Sequence, residues 1–463
     1  MLKLFKNPPS QYRPVVLTGG DGPIVSFERM KQEVDNLACT GSSTCMPQQR
    51  RVDSTIGPQS HRIFSDYAAR LGYVFSQGRR RAQVAVLQPY GKYSSPHISK
   101  FADEYLQMLY TSLAREHISY QCIDEATLSE ATALDQALMT PDENYELLIV
   151  PPVTSMGYEA ALKIEEFIDD GGRVMCCTLL PVEDATGYKH EEVQSIFAQL
   201  YNYNPIQLLT DFDSGKRVNA GQVNFPENGA IFVDSLWPEN ISPILRKIIS
   251  RAIKPEVSIK WQGAECGDIQ YTHISVDGGE LFFFANGSDA PREVQLSVRC
   301  EGAPCVMDLE TGERTALLNC TQRGSRTILL HRFERYTSLL VAFTDEPVMT
   351  IPSPILDDGN AFPIPGAWQC TNRQYSHTAI YAGVAQIPDF LRGQRIFIKV
   401  AHPIGLTEFT VNGVLVGIRP WAPFEMDVSA LVKPGPNEIK IKIISNSSEP
   451  CQESNCKACI YIC

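Results

Sequence analysis

Four cysteines close the chain. Cys451, Cys456, Cys459 and Cys463 are spaced C-x4-C-x2-C-x3-C within thirteen residues. Thiolates this close can hold zinc or an iron–sulfur cluster, and the first three echo a plant-type ferredoxin spacing. A ferredoxin, however, builds its own fold around that loop, whereas these residues trail off a run of strands. Metal binding, disulfide pairing and a reduced tail all stay open, with the reduced tail placed first. Sugar recognition is a second chemistry, and it needs rings to stack on a pyranose face and polar groups to fix its orientation. Trp368, Tyr381, Arg419 and Trp421 are the carbohydrate-binding candidates, with Asn372, Arg373 and Tyr375 beside them. Large aromatics in a sheet are more often core. A third chemistry is nucleophilic catalysis by Cys176 or Cys177 on a strand-to-helix elbow. Such an elbow wants small residues around the thiol. Met175, Thr178 and Leu179 flank this pair, so both read as buried strand thiols. His97 and His117 have no obvious acid or thiol partner and read as structural.

The elements that would position these residues follow from periodicity. Tyr67, Leu71, Val74 and Phe75 give one apolar stripe at helical spacing, and Gly78 sits where a helix C-cap would. Arg79, Arg80 and Arg81 then read as a solvated connector ahead of the buried run Val84–Leu87. Before this helix, Val15 to Asp53 reads as strand, helix, strand. One βα repeat cannot bury both faces alone, so residues 1–78 read as the end of a (β/α)8 barrel, with an apolar face from Val15 to Leu37 lacking a partner. Residues 79–254 alternate strands and helices, which implies a doubly wound parallel sheet of flavodoxin-like or amidotransferase-like type. Residues 255–347 alternate as antiparallel strands with turn signals at Asp277-Gly278-Gly279, Asn286-Gly287 and Thr311-Gly312, a small β-sandwich. After a proline-rich connector, residues 348–463 read as a jelly roll, with Asn412-Gly413 as a hairpin turn and Ile439, Ile441 and Ile443 alternating against Lys440 and Lys442. The fold class is thus multidomain α/β plus all-β.

Composition narrows the partners. At 463 residues, 43% apolar and 20% charged, the chain is an ordinary globular protein of about three domains. A net charge of −12 argues against nucleic acid or an anionic membrane. No apolar run approaches the roughly 18–20 residues of a membrane span. The start, MLKLFKNPPSQYR, is too short in its apolar part for a secretory signal, so the chain as written is soluble and cytoplasmic. There is no G-x-G-x-x-G and no Walker sequence, so no nucleotide cofactor is indicated.

The order of parts resembles the C-terminal portion of α-L-rhamnosidase-type glycoside hydrolases, family 106, with β-galactosidase-like relatives next. FSDYAARLGYVFSQG with AQVAVLQP, then YELLIVPP with FIDDGGRVMCCTLLP, are similar to that family's passage from barrel to α/β domain. ELFFFANGSDAPREVQLSV with VMDLETGE resembles its β-sandwich, and FTVNGVLVGIRPWAPFEMDVSALVKPGPNEIKIKI its terminal sugar-binding-type jelly roll. The resemblance implies a hydrolase of rhamnosides in plant or bacterial polysaccharide, with an inverting two-carboxylate mechanism in a calcium-assisted barrel. That barrel would lie before Met1, so calcium would belong to it and no metal or other cofactor is expected in this chain. Glycoside hydrolysis needs one carboxyl to protonate the leaving oxygen and another to activate water or attack. Glu28, Glu33, Asp35 and Asp53 are available, but Glu28 and Asp35 lie seven apart on a helix and read as its outer, solvated face. No catalytic residue is assigned. The expectation is a part of a rhamnosidase-like enzyme, inactive alone, binding rhamnose-containing glycan and meeting a barrel-bearing chain. The alternative is a stand-alone carbohydrate-binding or structural module.

Overall fold

The computed structural model describes residues 4–9, 12, 27–40, 58–88, 93, 95–216, 222–224, 228–234, 241–317, 319–344, 361–373, 376–388, 395–401, 403, 405–445 and 458–462. The strand expected at Val15–Leu17, Asp53, Tyr375, and Cys451, Cys456 and Cys463 lie outside these residues.

Two helices come first, α1 (Phe27–Thr40) and α2 (Pro58–Ser76). Their stripes, Phe27, Met30, Val34 and Ala38 on one and Phe64, Tyr67, Leu71 and Val74 on the other, meet in one core with Leu281, Phe283, Leu340 and Ala342 of the following β-sandwich. The apolar face of α1 expected to lack a partner is therefore covered within the chain. Sequence periodicity announced the face but could not show that strands some 240 residues later supply its cover.

Gly78 is not a helix cap. It opens the strand Gly78–Arg80, which pairs antiparallel with Ile269–Val276 in the register Gly78↔Val276. A Cβ at Gly78 would lie 2.5 Å from the Ser275 carbonyl oxygen and from Cγ2 of Ile274, so glycine is required by close approach. The three arginines expected to form a solvated connector lie in and beside a sheet edge, with Arg79 and Arg81 exposed. Arg81 N–H donates to the His273 carbonyl at 2.9 Å, and its guanidinium meets Glu143 at 3.2 Å.

The α/β unit begins only after this strand, so it is inserted between the first and second strands of the sandwich sheet. Its helices are α3 (Pro96–Arg115), α4 (Glu125–Glu130), α5 (Tyr158–Asp169), α6 (His190–Tyr201), α7 (Pro205–Asp213) and α8 (Ile241–Ala252). The parallel strands Val84–Leu87, Tyr120–Ile123, Leu147–Val150, Val174–Cys177 and Ala230–Asp234 are ordered 2-1-3-4-5, with Gln222–Asn224 antiparallel at the edge. This is the flavodoxin-like order. Alternate residues of each central strand face opposite cores: Ala85, Leu148 and Cys176 meet α5 and α6, while Val84, Leu147 and Cys177 meet α3 and α8. The acidic helix from Glu125 is only six residues long, and a three-stranded meander over 132–145 follows it.

The sandwich sets the six-stranded sheet, which includes Gly78–Arg80, Ile269–Val276, Gly279–Asn286 and Ser338–Thr344, against a five-stranded sheet around Val257–Trp261, Arg292–Val298 and Arg326–Phe333. Phe282, Phe284, Leu296 and Leu329 fill the space between. The last unit again has two sheets. Gly366–Arg373, Ser376–Ile387, Gly435–Ser445, Leu406–Val411 and Val414–Arg419 form one, and Ile396–Val400 with Ala458–Ile462 centres the other. Asn412 and Gly413, at φ 49° and 80°, make the two-residue turn between Leu406–Val411 and Val414–Arg419. Ile439, Ile441 and Ile443 are fully buried.

Candidate functional site

The residues singled out for sugar contact have structural duties. Tyr381 is 4% exposed, and its hydroxyl donates to the Ile364 carbonyl. Trp421 is 1% exposed; its ring lies edge-on to Tyr67 at 5.6 Å, and its indole N–H donates to Glu310 Oε1 at 2.6 Å. The Arg419 guanidinium binds Glu310 Oε2 and the Glu425 carbonyl. Rings covered on both faces cannot stack on a pyranose, so Tyr381 and Trp421 are corrected to packing residues, while Arg419 keeps part of its side chain in solvent beside Glu310. Trp368 lies in strand Gly366–Arg373, in register with Tyr381.

The carboxylates of α1 are likewise reassigned. Asp35 is 3% exposed, not solvated. Its carboxylate takes hydrogen bonds from Lys31 Nζ at 2.6 Å and Tyr67 Oη at 2.5 Å, and Lys31 also reaches Ser338 Oγ at 3.2 Å. Burial raises the Asp35 pKa, against the opposing pull of Lys31. Glu28 meets Arg335 at 3.3 Å, and Glu33 meets Arg29 at 3.7 Å. Spacing puts Glu28 and Asp35 on one side of α1; that this side faces the strand Ser338–Thr344 is a tertiary fact. His117 is tied by Nδ1 to Glu265 at 2.9 Å and by Nε2 to the Cys266 and Ile269 carbonyls, joining α3 to the sandwich. His97 lies against the ring of Phe212.

Open space lies instead at the carboxyl ends of the parallel strands, where sheets of this order bind ligands. Cys176 and Cys177 are buried and burial pushes both thiols up, which keeps them protonated. The bend after them exists without glycine: Thr178 holds φ 61° and is wholly buried, so it presents no nucleophile. The chain then runs into a short parallel bridge, Glu183–Asp184 beside Ser155–Met156. Asp184, 3% exposed, organises everything around it. Its carboxylate accepts from the backbone N–H of Tyr158, Thr186, Tyr188 and Lys189 at 3.1–3.3 Å and from the Thr186 hydroxyl. Burial raises its pKa, but the bonds from Thr186, Tyr188 and Lys189 outweigh burial and hold it well below the carboxylate range. His190 Nδ1 accepts from the Asp184 N–H at 2.9 Å.

This segment lends walls to two clefts. One, of about 460 Å³, is lined by Glu183, His190, Gln194, Thr210 and Asp213 together with Val182, Ile206 and Leu209. The other, of about 250 Å³, is lined by Glu125, Ser129, Tyr158, Glu159, Thr186 and Lys189. Lys189 Nζ sits over the Tyr158 ring at 3.6 Å. Between them in sequence stands Tyr188, 89% exposed. Gly187 is a residue type that could have marked this turn from the sequence, but it names no ligand. Among the described residues no three His, Cys, Asp or Glu side chains gather as metal ligands.

No protein-family model matches the chain. A Formosa agariphila protein bearing a beta-glucuronidase name is 23% identical over 255 residues, which is 54% of this chain and 18% of that protein. The rhamnosidase from Novosphingobium sp. PP1Y superposes over 94% of this chain at TM-score 0.59 and 15% identity. The beta-galactosidase from Rahnella sp. R3 covers 72% of this chain and 55% of its own at TM-score 0.41 and 11% identity, too distant to argue from. The chain spans 46% of the Novosphingobium rhamnosidase. At the level of fold, the resemblance read from the sequence holds: over nearly its whole length this chain is built like a portion of a rhamnosidase.

Proposed function

We propose that these residues are the non-barrel part of an α-L-rhamnosidase-like glycoside hydrolase acting on plant or bacterial polysaccharide. The observation that carries this reading is the 94% coverage at TM-score 0.59 by one rhamnosidase, with the α/β unit and both β units included. In this reading residues 1–78 close a barrel, 79–254 and 255–347 brace it, and 348–463 are a jelly roll of sugar-binding type. The described residues form no (β/α)8 barrel, and the carboxylates of α1 are committed to ion pairs. Acid and base therefore come from a barrel, which would also hold any calcium, and the partner of this chain is a barrel-bearing segment working on rhamnose-containing glycan. The test is an assay of the purified chain on an aryl α-L-rhamnoside. No turnover is expected, and turnover that survives rigorous purification overturns the reading.

One observation favours the second reading, a stand-alone carbohydrate-binding or structural module. The stripes of α1 and α2 are fully covered by the chain itself, so these helices need no barrel to be stable. Co-purification with a separately produced rhamnosidase barrel decides between the two. Stable association supports the first reading and its absence the second.

A further inference from the structure

We propose that the loop Val182–His190 is a docking site for neutral oligosaccharide, with Tyr188 as its stacking platform. The proposal rests on the glycosidase reading and adds a place and a ligand charge to it. The first observation is exposure. Tyr188 is 89% exposed, whereas every other large apolar side chain described as exposed is 68% or less. A ring held in water costs hydration free energy that stacking on a sugar's C–H face returns.

The second observation is rigidity. A flexible loop would lose ordering entropy on binding, but here the Asp184 carboxylate already fixes the backbone at Thr186, Tyr188 and Lys189. Gly187, at φ 84°, makes the turn that lifts Tyr188 clear, and a Cβ there would meet nothing within 4 Å. The platform is thus preorganised by a side chain that is itself inaccessible.

The third observation is the polar surround. Tyr188 lines neither cleft, but its loop neighbours do: one cleft offers Glu183, Asp213 and His190 to sugar hydroxyls, and the other offers Glu125, Glu159 and Lys189. Four carboxylates against one lysine repel a uronate, so the ligand is a neutral sugar chain such as one of deoxyhexoses.

The experiment is saturation-transfer NMR on the full chain with two probes, a neutral rhamnose-containing tetrasaccharide and a tetragalacturonate. Transfer to the neutral probe alone is expected, with affinity at least tenfold weaker in Tyr188→Ala and retained in Tyr188→Phe. Because Tyr188 touches so little of the fold, the thermal midpoint of Y188A stays that of the wild type. Equal binding by Y188A overturns the site and leaves the glycosidase reading standing. Preference for the galacturonate, or no transfer to the wild type at millimolar probe, overturns the proposal as well. The glycosidase reading is judged separately, by hydrolysis and barrel association.

Discussion

Trp421 and Glu310 meet across the seam between the two β units, indole N–H to carboxylate oxygen at 2.6 Å, with Arg419 on the other oxygen. The same seam holds Arg70 of α2, whose guanidinium donates to the carbonyls of Leu309 and Glu310 at 2.8 and 2.5 Å. Helix, sandwich and last unit are therefore bound at one point. Trp421→Phe removes one donor from a carboxylate that is mostly buried and is expected to cost about 1–3 kcal/mol. Trp421→Ala adds a cavity and costs about 3–5 kcal/mol. Urea midpoints at constant slope would show this, and a W421A chain as stable as wild type would refute it.

The buried pair Lys31–Asp35 makes a second prediction. Lys31→Met or Asp35→Leu alone leaves one charge without its partner and should cost about 3–5 kcal/mol, while the double replacement should recover most of the loss. A double-mutant cycle on chemical denaturation measures the coupling. Additive losses would show that the pair is not coupled.

His273 predicts a pH dependence. It lies between Glu256 at Nδ1 and Glu280 at Nε2, the latter at 2.7 Å, and stacks on Phe282 at 4.2 Å. Burial lowers its pKa, but the bonds to Glu256 and Glu280 outweigh burial and raise it from 6.5 to about 9. The folded chain therefore holds a proton that the unfolded chain releases first. Its contribution is complete below pH 6.5 and is lost as pH rises through about 9. The size is on the order of 3 kcal/mol or less. His273→Gln should flatten the stability profile between those limits. A profile equally steep in both proteins would exclude His273 as its source.

Asp184 acts at the other end of the scale. Its depressed pKa gives stability that is present above the ordinary carboxylate value of 3.8 and lost only as pH falls below it. Asp184→Ala frees four backbone N–H groups at the loop and at the starts of α5 and α6, for a loss of about 2–3 kcal/mol. Limited proteolysis should then cut between Ala185 and Lys189 in the variant and not in the wild type.

Gly78→Ala tests the insertion of the α/β unit. The new methyl would lie 2.5 Å from the Ser275 carbonyl oxygen, and overpacking of this kind costs about 1–3 kcal/mol. Hydrogen exchange should show weakened pairing of Gly78–Arg80 with Ile269–Val276. It should also show the amides of α1 protected in the wild type.

Local physics made the elements legible. The unbroken apolar run of Val84–Leu87 becomes a strand buried on both faces because nothing but a covered parallel sheet suits it. Asn412-Gly413 becomes a hairpin turn because both positions need positive φ, and alternation at Ile439, Ile441 and Ile443 fixes which face is core. The site was far less legible. Trp421 and Tyr381 carry the chemistry of a sugar platform, but whether a ring faces solvent or a neighbouring unit depends on residues distant in sequence, here Glu310, Tyr67 and Ile364. Tyr188 drew no attention because exposure leaves no periodic signature.

The sequence by itself determined most of the elements and the α/β plus β class, since these follow from local periodicity and turn chemistry, but not the strand Gly78–Arg80 or the meander over 132–145. Tertiary structure alone decided that Gly78 opens a sandwich strand, that Asp35 and Lys31 face inward, and that Asp184 holds a rigid loop with Tyr188 at its tip. Those outcomes depend on which distant surfaces meet. Burial and charge pairing across such contacts are set by the assembled chain, not by any stretch of it.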